Sequence, residues 1–150
     1  MIERILCDDD VIAIIVRNNH SEEGIHFLTP DDYSQQLAYM HHKSGHMIEP
    51  HFHNIVPRTV HYTQEVLVIR TGKLKVDFYN EDQEKISDTV LSAGGVILLC
   101  AGGHGFEVLE EVEMIEIKQG PYVGLNDKTR FIPKEKKEDI NERETKSQNR

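Results

Sequence analysis

The sequence predicts an all-β protein, a sandwich or a barrel, on three observations. Short runs rich in Val, Ile and Leu recur along residues 1–132, and these residue types suit a pleated, half-buried surface. Turn-forming residues separate the runs at regular intervals, as in Asn18-Asn19, Pro30-Asp31-Asp32, Ser44-Gly45, Asn80–Gln83, Gly94-Gly95 and Gly102-Gly103. Only one short stretch, Asp31–Gln36, reads as helical, with Asp31 placed to cap it.

Taken in order, the expected strands are Ile2–Leu6, Val11–Val16, Ile25–Thr29, Gln36–His42, His46–His53, Gln64–Thr71, Lys73–Tyr79, Ser87–Leu91, Gly95–Cys100, Gly103–Glu110 and Val112–Lys118. Thr71-Gly72 joins two strong strands and predicts a hairpin there. The strands of residues 2–29 are expected to pack on the outside of the sheet, or to pair with a second subunit in a homodimer that hides their edges. With 150 residues the chain suits one domain, over 1–132. From Pro133 the composition turns polar and charged. Residues 133–150 lack the apolar surface needed to dock, which predicts a flexible tail.

Lys plus Arg number 17 against 26 for Asp plus Glu, a formal charge of −9. With no basic cluster in the folded part, nucleic acid and anionic membranes are poor partners, whereas a small-molecule ligand is compatible. No stretch approaches the ~20 apolar residues of a membrane span. Asp8-Asp9-Asp10 followed by the short apolar run Val11–Val16 does not resemble a signal peptide, so a cytoplasmic location is expected. Cys7 and Cys100 are far apart, beside apolar residues, and read as buried thiols rather than a disulfide.

The chemistry is concentrated in histidine. There are nine, and seven fall between residues 41 and 104. His51 and His53 are two residues apart, and on a strand such residues share a face, so their imidazoles can converge on one ion. Glu65 heads a strand whose Leu67 and Ile69 share its face, and a carboxylate on an apolar stripe needs a partner. His104 lies among Gly102, Gly103 and Gly105, which permit close backbone approach. Three histidines and one carboxylate, with positions left open, suit one divalent ion of Fe, Mn, Ni or Zn.

These residues resemble the motifs of the cupin superfamily. Gly45, five residues, His51-Phe52-His53, then Glu65, six residues and Gly72 is similar to the first cupin motif. Gly94, Cys100-Ala101-Gly102 and His104 approach the second. The gap from His53 to Glu65 is eleven residues where the family has three or four, Cys100 replaces the proline of the second motif, and His104 comes one residue early. The resemblance implies a jelly-roll-like double-stranded β-helix with the metal near one mouth, held by His51, His53, Glu65 and His104; His61 or Gln64 stands as an alternative to Glu65. The wider pattern, including Tyr62–Leu67, Asp77–Tyr79 and Lys118–Tyr122, resembles small stand-alone bacterial cupins of surface-polysaccharide and nucleotide-sugar gene clusters.

Around such a site, His61 or Glu65 would move a proton, Arg58 would grip an anionic group, and Gln64, Tyr39 and Phe106 would line the pocket. The function expected is that of a metal-dependent enzyme on a sugar or carboxylated small molecule, of isomerase or epimerase type. An Fe(II) dioxygenase, a binding cupin without turnover and a degenerate barrel without metal are the alternatives.

Overall fold

The structure is a computed structural model and describes residues 1–134. The chain is all-β. Among the described residues eight strands form in order: β1 (Ile2–Cys7), β2 (Asp10–Val16), β3 (Gly24–Phe27), β4 (Ala38–His41), β5 (Glu65–Tyr79), β6 (Lys85–Ser92), β7 (Val96–Leu99) and β8 (Gly103–Lys118). A 3-10 turn, Gly124–Asp127, follows. β3 and β4 make a separate antiparallel pair. The other six form one antiparallel sheet, curled into half a barrel, in the order β1-β2-β7-β5-β6 with β8 on the other side of β5.

Apolar residues lie on both faces of this sheet, and each face has its own core. The inner one gathers Ile15, Leu67, Ile69, Leu74, Phe78 and Ile97. The outer one gathers Ile14, Val66, Leu98 and Cys100 beneath Leu28, Tyr33, Leu37 and Tyr39. Consecutive residues such as Val66 and Leu67, or Ile97 and Leu98, therefore go to opposite cores, as the strand period of two requires. A strand covered on both faces is apolar at every position, which explains the unbroken run Ile12–Val16.

β5 is the spine. Its first half pairs with β7, its second half with β6, and β8 runs along its whole other edge. The β6–β7 turn is strapped to the middle of β5: Ile69 N donates to Gly95 O (2.9 Å) and Gly94 N donates to Ile69 O (2.8 Å). Where a hairpin was expected at Thr71-Gly72, the strand instead continues through a cluster of register shifts. Gly72 has φ +76°, and a Cβ there would overlap the carbonyl oxygen of Glu111. The expected break at Glu111, between Gly103–Glu110 and Val112–Lys118, is likewise a bulge within one strand. The two interruptions face each other across the ladder, so β5 and β8 bend together.

Three further expectations are corrected. β1 and β2 do not pack outside the sheet: β2 lies against β7 inside it, with Ala13, Ile14 and Ile15 fully buried. Residues 31–36 form a turn and bends, not a helix. Gln36 Nε2 donates to the carbonyls of Pro30 (2.8 Å) and Tyr33 (3.0 Å), taking acceptors that a helix would use for its main chain. His46–His53 forms no strand, and residues 42–64 run without regular structure. The tail expected over 133–150 lies almost wholly outside the described residues. Lys134, within them, donates its N–H to Gln83 O (3.0 Å).

Arg17 ties the two ends of the strand order together. Its guanidinium donates to both carboxylate oxygens of Glu3 on β1 (2.8 and 2.7 Å), and to Thr89 Oγ1 and Val90 O on β6 (2.6 Å each).

Candidate functional site

The bend in the β5–β8 ladder creates the site. Glu65 opens β5 opposite Lys118, and His104 lies at the far end of the same ladder opposite Phe78. Phe78 lies thirteen positions beyond Glu65 along β5, yet His104 Nε2 stands 3.3 Å from Glu65 Oε2. A straight strand of that length would hold the ends roughly 40 Å apart. Both side chains are on the inner face, in line with Leu67, Ile69, Val76 and Phe78. Gly102 makes the approach to His104 possible: it has φ +67°, and a Cβ would press against Tyr79 O at 2.6 Å.

The other Glu65 oxygen, Oε1, faces Lys118 Nζ at 3.7 Å. Lys118 also meets Asp127 Oδ2 at 3.2 Å, supplied by the 3-10 turn, and Glu116 Oε1 at 3.4 Å. Glu65 is 9% exposed. The hydrogen bond from His104 holds its carboxyl below the usual carboxylate range, against the opposing effect of burial and with help from the charges of His104, Lys118 and Lys128. The result is a buried carboxylate, ionised at neutral pH, with an imidazole nitrogen within hydrogen-bond reach.

A second feature lies on the opposite face. Gln64, one residue before Glu65, is buried against the outer core: its Nε2 donates to Cys100 O (3.4 Å) and its Oε1 accepts from Gln35 N (3.2 Å). It lines a cavity of about 240 Å³ with Asp32, Tyr33, His61 and Tyr62. Cys100 is at its floor, and burial pushes that thiol up to about 12, so it is no nucleophile at neutral pH.

Of the residues singled out from sequence, the structure brings Glu65 and His104 together, with Phe106 beside them, its ring 5.3 Å from that of His104. It does not bring His51 and His53 to that pair. Both are exposed in the irregular 42–64 stretch, their rings 5.3 Å apart, and His51 Nδ1 bonds Glu49 O at 2.8 Å. Among the described residues no group of three or more His, Cys, Asp or Glu is arranged to hold a metal ion. His61 and Gln64 belong to the outer cavity, in which Glu65 has no part. Arg58 is exposed, its Nη1 3.5 Å from the nearby Val56 O. Tyr39 packs on the outer face, its ring edge-on to His20 and its hydroxyl bonded to His20 O (3.3 Å).

Sequence reasoning missed Lys118 and Asp127. Lys118 was legible in part: it shares strand parity with Met114 and Glu116, but its pairing to Glu65 needs the β5–β8 register. Asp127 comes from a turn with no sequence signature. No protein-family model, curated protein or solved structure matches the chain.

Proposed function

We propose that the chain is a cupin-type protein that binds one divalent ion, Fe, Mn, Ni or Zn, at the mouth of its curled sheet and uses it to hold a sugar or carboxylated small molecule. The observation that carries the reading is the 3.3 Å approach of His104 to Glu65 from opposite ends of one ladder. A carboxylate and an imidazole converging on the inner face are two of the four ligands that the cupin resemblance implies, and their donor chemistry fits these metals. His51 and His53 are the residues that would complete the set, from a stretch that starts and ends beside the sheet. The bound ion would supply Lewis acidity. Around it, Phe106 offers an apolar wall, and Glu65 and Lys118 offer groups that orient a polar ligand. A redox-neutral isomerase or epimerase is the enzyme class in view.

Metal content of the purified full-length protein, by elemental mass spectrometry without added metal, tests this. The expected result is about one ion per chain, falling roughly ten- to a hundredfold in His104→Ala and in His51→Ala. Unchanged metal content in both variants would sink the ligand set.

Lys118 favours a second reading. Glu65 already has a cationic partner at 3.7 Å and an imidazole at 3.3 Å, so its charge is balanced without an ion. On this reading the site is a metal-free binding site for a small polar molecule. It predicts a protein that takes up no ion on titration.

A further inference from the structure

The cavity of about 240 Å³ beside Gln64 and Cys100 lies on the outer face of the sheet, away from Glu65 and His104. Two pieces of chain wall it: the turn that holds Asp32, Tyr33 and Ser34, and the end of the irregular stretch, at His61, Tyr62 and Gln64. One side chain sets the spacing of the two walls. The Gln119 carboxamide accepts from Gln64 N through Oε1 (2.7 Å) and donates to Ser34 Oγ through Nε2 (3.2 Å). A further tie runs from Gln35 N to Gln64 Oε1 (3.2 Å). Walls braced in this way hold their shape without an occupant, which lowers the ordering cost of binding one.

The polar groups of these walls have capacity to spare. Ser34 Oγ accepts from Gln119 and keeps its own proton for another partner. Gln64 Nε2 has a second hydrogen beyond the one on Cys100 O. Among the described residues, the hydrogen bonds made here leave the hydroxyls of Tyr33 and Tyr62 and the ring of His61 without a partner. Burial, then the neighbouring Cys100 and the Asp32 carboxylate, hold the Tyr33 phenol above its ordinary range, so it keeps its proton at neutral pH. Neither Lys nor Arg lines the cavity, and Asp32 is its carboxylate. A phosphate or carboxylate ligand would find no cationic partner there and would meet Asp32. A cation would use Asp32 but leave the donors of Tyr33, Tyr62 and Gln64 unanswered. Ligand hydroxyls, each both donor and acceptor, answer all of these groups, and the two tyrosine rings supply apolar surface for a C–H face. The volume falls below the roughly 300–1,000 Å³ of sites for drug-sized ligands, which limits the occupant to one small ring.

We infer that this outer cavity is a second binding site, for a small neutral polyol such as a single sugar ring or a cyclitol. Tyr33, Ser34 and Gln64 donate to its hydroxyls, and Asp32 accepts from them. None of these side chains belongs to the inner face, so the site needs no metal and goes beyond the function proposed for the Glu65–His104 pair.

NMR titration of the full-length protein, with a chelator present, tests it. The neutral probes are glucose, galactose, mannose and myo-inositol; glucuronate and protonated glucosamine are charged counterparts of the same size. The expected result is saturable shifts with at least one neutral probe, at a roughly millimolar Kd. They should fall on the main-chain amides of Ser34, Gln35, Gln64 and Cys100 and on the side-chain amides of Gln64 and Gln119, while His104 and Phe106 stay still. Tyr33→Phe, which removes one donor and keeps the ring, should weaken binding roughly three- to tenfold. Unmoved β2 and β7 amides in that variant report an intact fold. Failure of every neutral probe to saturate these amides would overturn the inference, as would saturation at His104 and Phe106 instead. Glucuronate or glucosamine binding as tightly as the best neutral probe would overturn the polyol assignment, and an unchanged Kd in Tyr33→Phe the placement of the ligand. The chelator keeps all of these outcomes separate from the fate of the metal reading, which metal content decides.

Discussion

β7 and β8 flank the same strand and are both rich in branched aliphatic residues, yet they have opposite surroundings. Ile97 and Leu98 of β7 are 0% exposed, whereas Val108 and Ile117 of β8 are 59% and 51% exposed. Side-chain type separates them only in part: β8 carries five glutamates and β7 none, yet their aliphatic residues differ in burial just the same. β7 has β2 on its far edge and the 28–39 stretch over its outer face; β8 has neither. Burial in this sheet is decided by neighbours, and an apolar strand without one is a surface waiting for contact.

The largest effect that sharpens the contrast comes from truncating core residues. Leu67→Ala and Leu98→Ala, one in each core, should each cost about 2–5 kcal/mol in chemical denaturation. Ile117→Ala should cost under about 1 kcal/mol if β8 stays bare. A cost near that of Leu98→Ala would break the comparison and show that β8 is covered in solution. Next in size is Gly72→Ala. The positive φ and the Glu111 carbonyl both oppose a side chain there, and a loss of about 1–3 kcal/mol is expected, with the Glu65–His104 contact disturbed at the other end of the bend. NMR shifts of the His104 ring would read that disturbance.

The smallest effect concerns the Arg17 tie. Hydrogen bonding by Arg17 holds the Glu3 carboxyl below its usual range, against burial. A lowered carboxyl value in the folded state means stability that is complete above the ordinary carboxylate range and lost as pH falls through the folded value. Glu65 acts in the same direction. The melting temperature should therefore drop on acidification below about pH 4. Arg17→Ala, costing roughly 1 kcal/mol at neutral pH, should flatten that drop. An Arg17→Ala curve parallel to that of the parent would show that the tie contributes nothing.

Much of the fold was legible because the buried strands carry their own signal. Val11–Val16 and Gly95–Cys100 were expected within a residue or two of β2 and β7. Breaks at Gly72 and Glu111 were located correctly and misread in kind. A glycine with positive φ serves a turn or a bulge equally, and only the partner strand decides which. The need of Glu65 for a partner was legible from its place on an apolar stripe, where a metal ion was the expected partner; the structure sets His104 and Lys118 beside it. The strand at His46–His53 was not formed, and its residues show why the pattern was ambiguous: Pro50 removes a donor, and the histidines give no stripe that the existing sheet can bury. Lys118 and Asp127 escaped notice because Lys118 meets Glu65 through register and Asp127 meets Lys118 through a turn, neither of which is written in spacing.

Gln64 and Glu65 show how the chain tolerates changes of length. One residue belongs to the outer cavity and the next to the inner pair, and their assignment is set by the bond from Gln64 N to Gln119 and by the pairing of Glu65 with Lys118. Residues gained or lost upstream, between 43 and 62, leave that anchor untouched and cost little closure entropy. A single residue gained or lost between Gln64 and Ile69 exchanges inside for outside, placing an amide against His104 and a carboxylate against Cys100. Length variation is thus free on one side of a two-residue boundary and ruinous on the other.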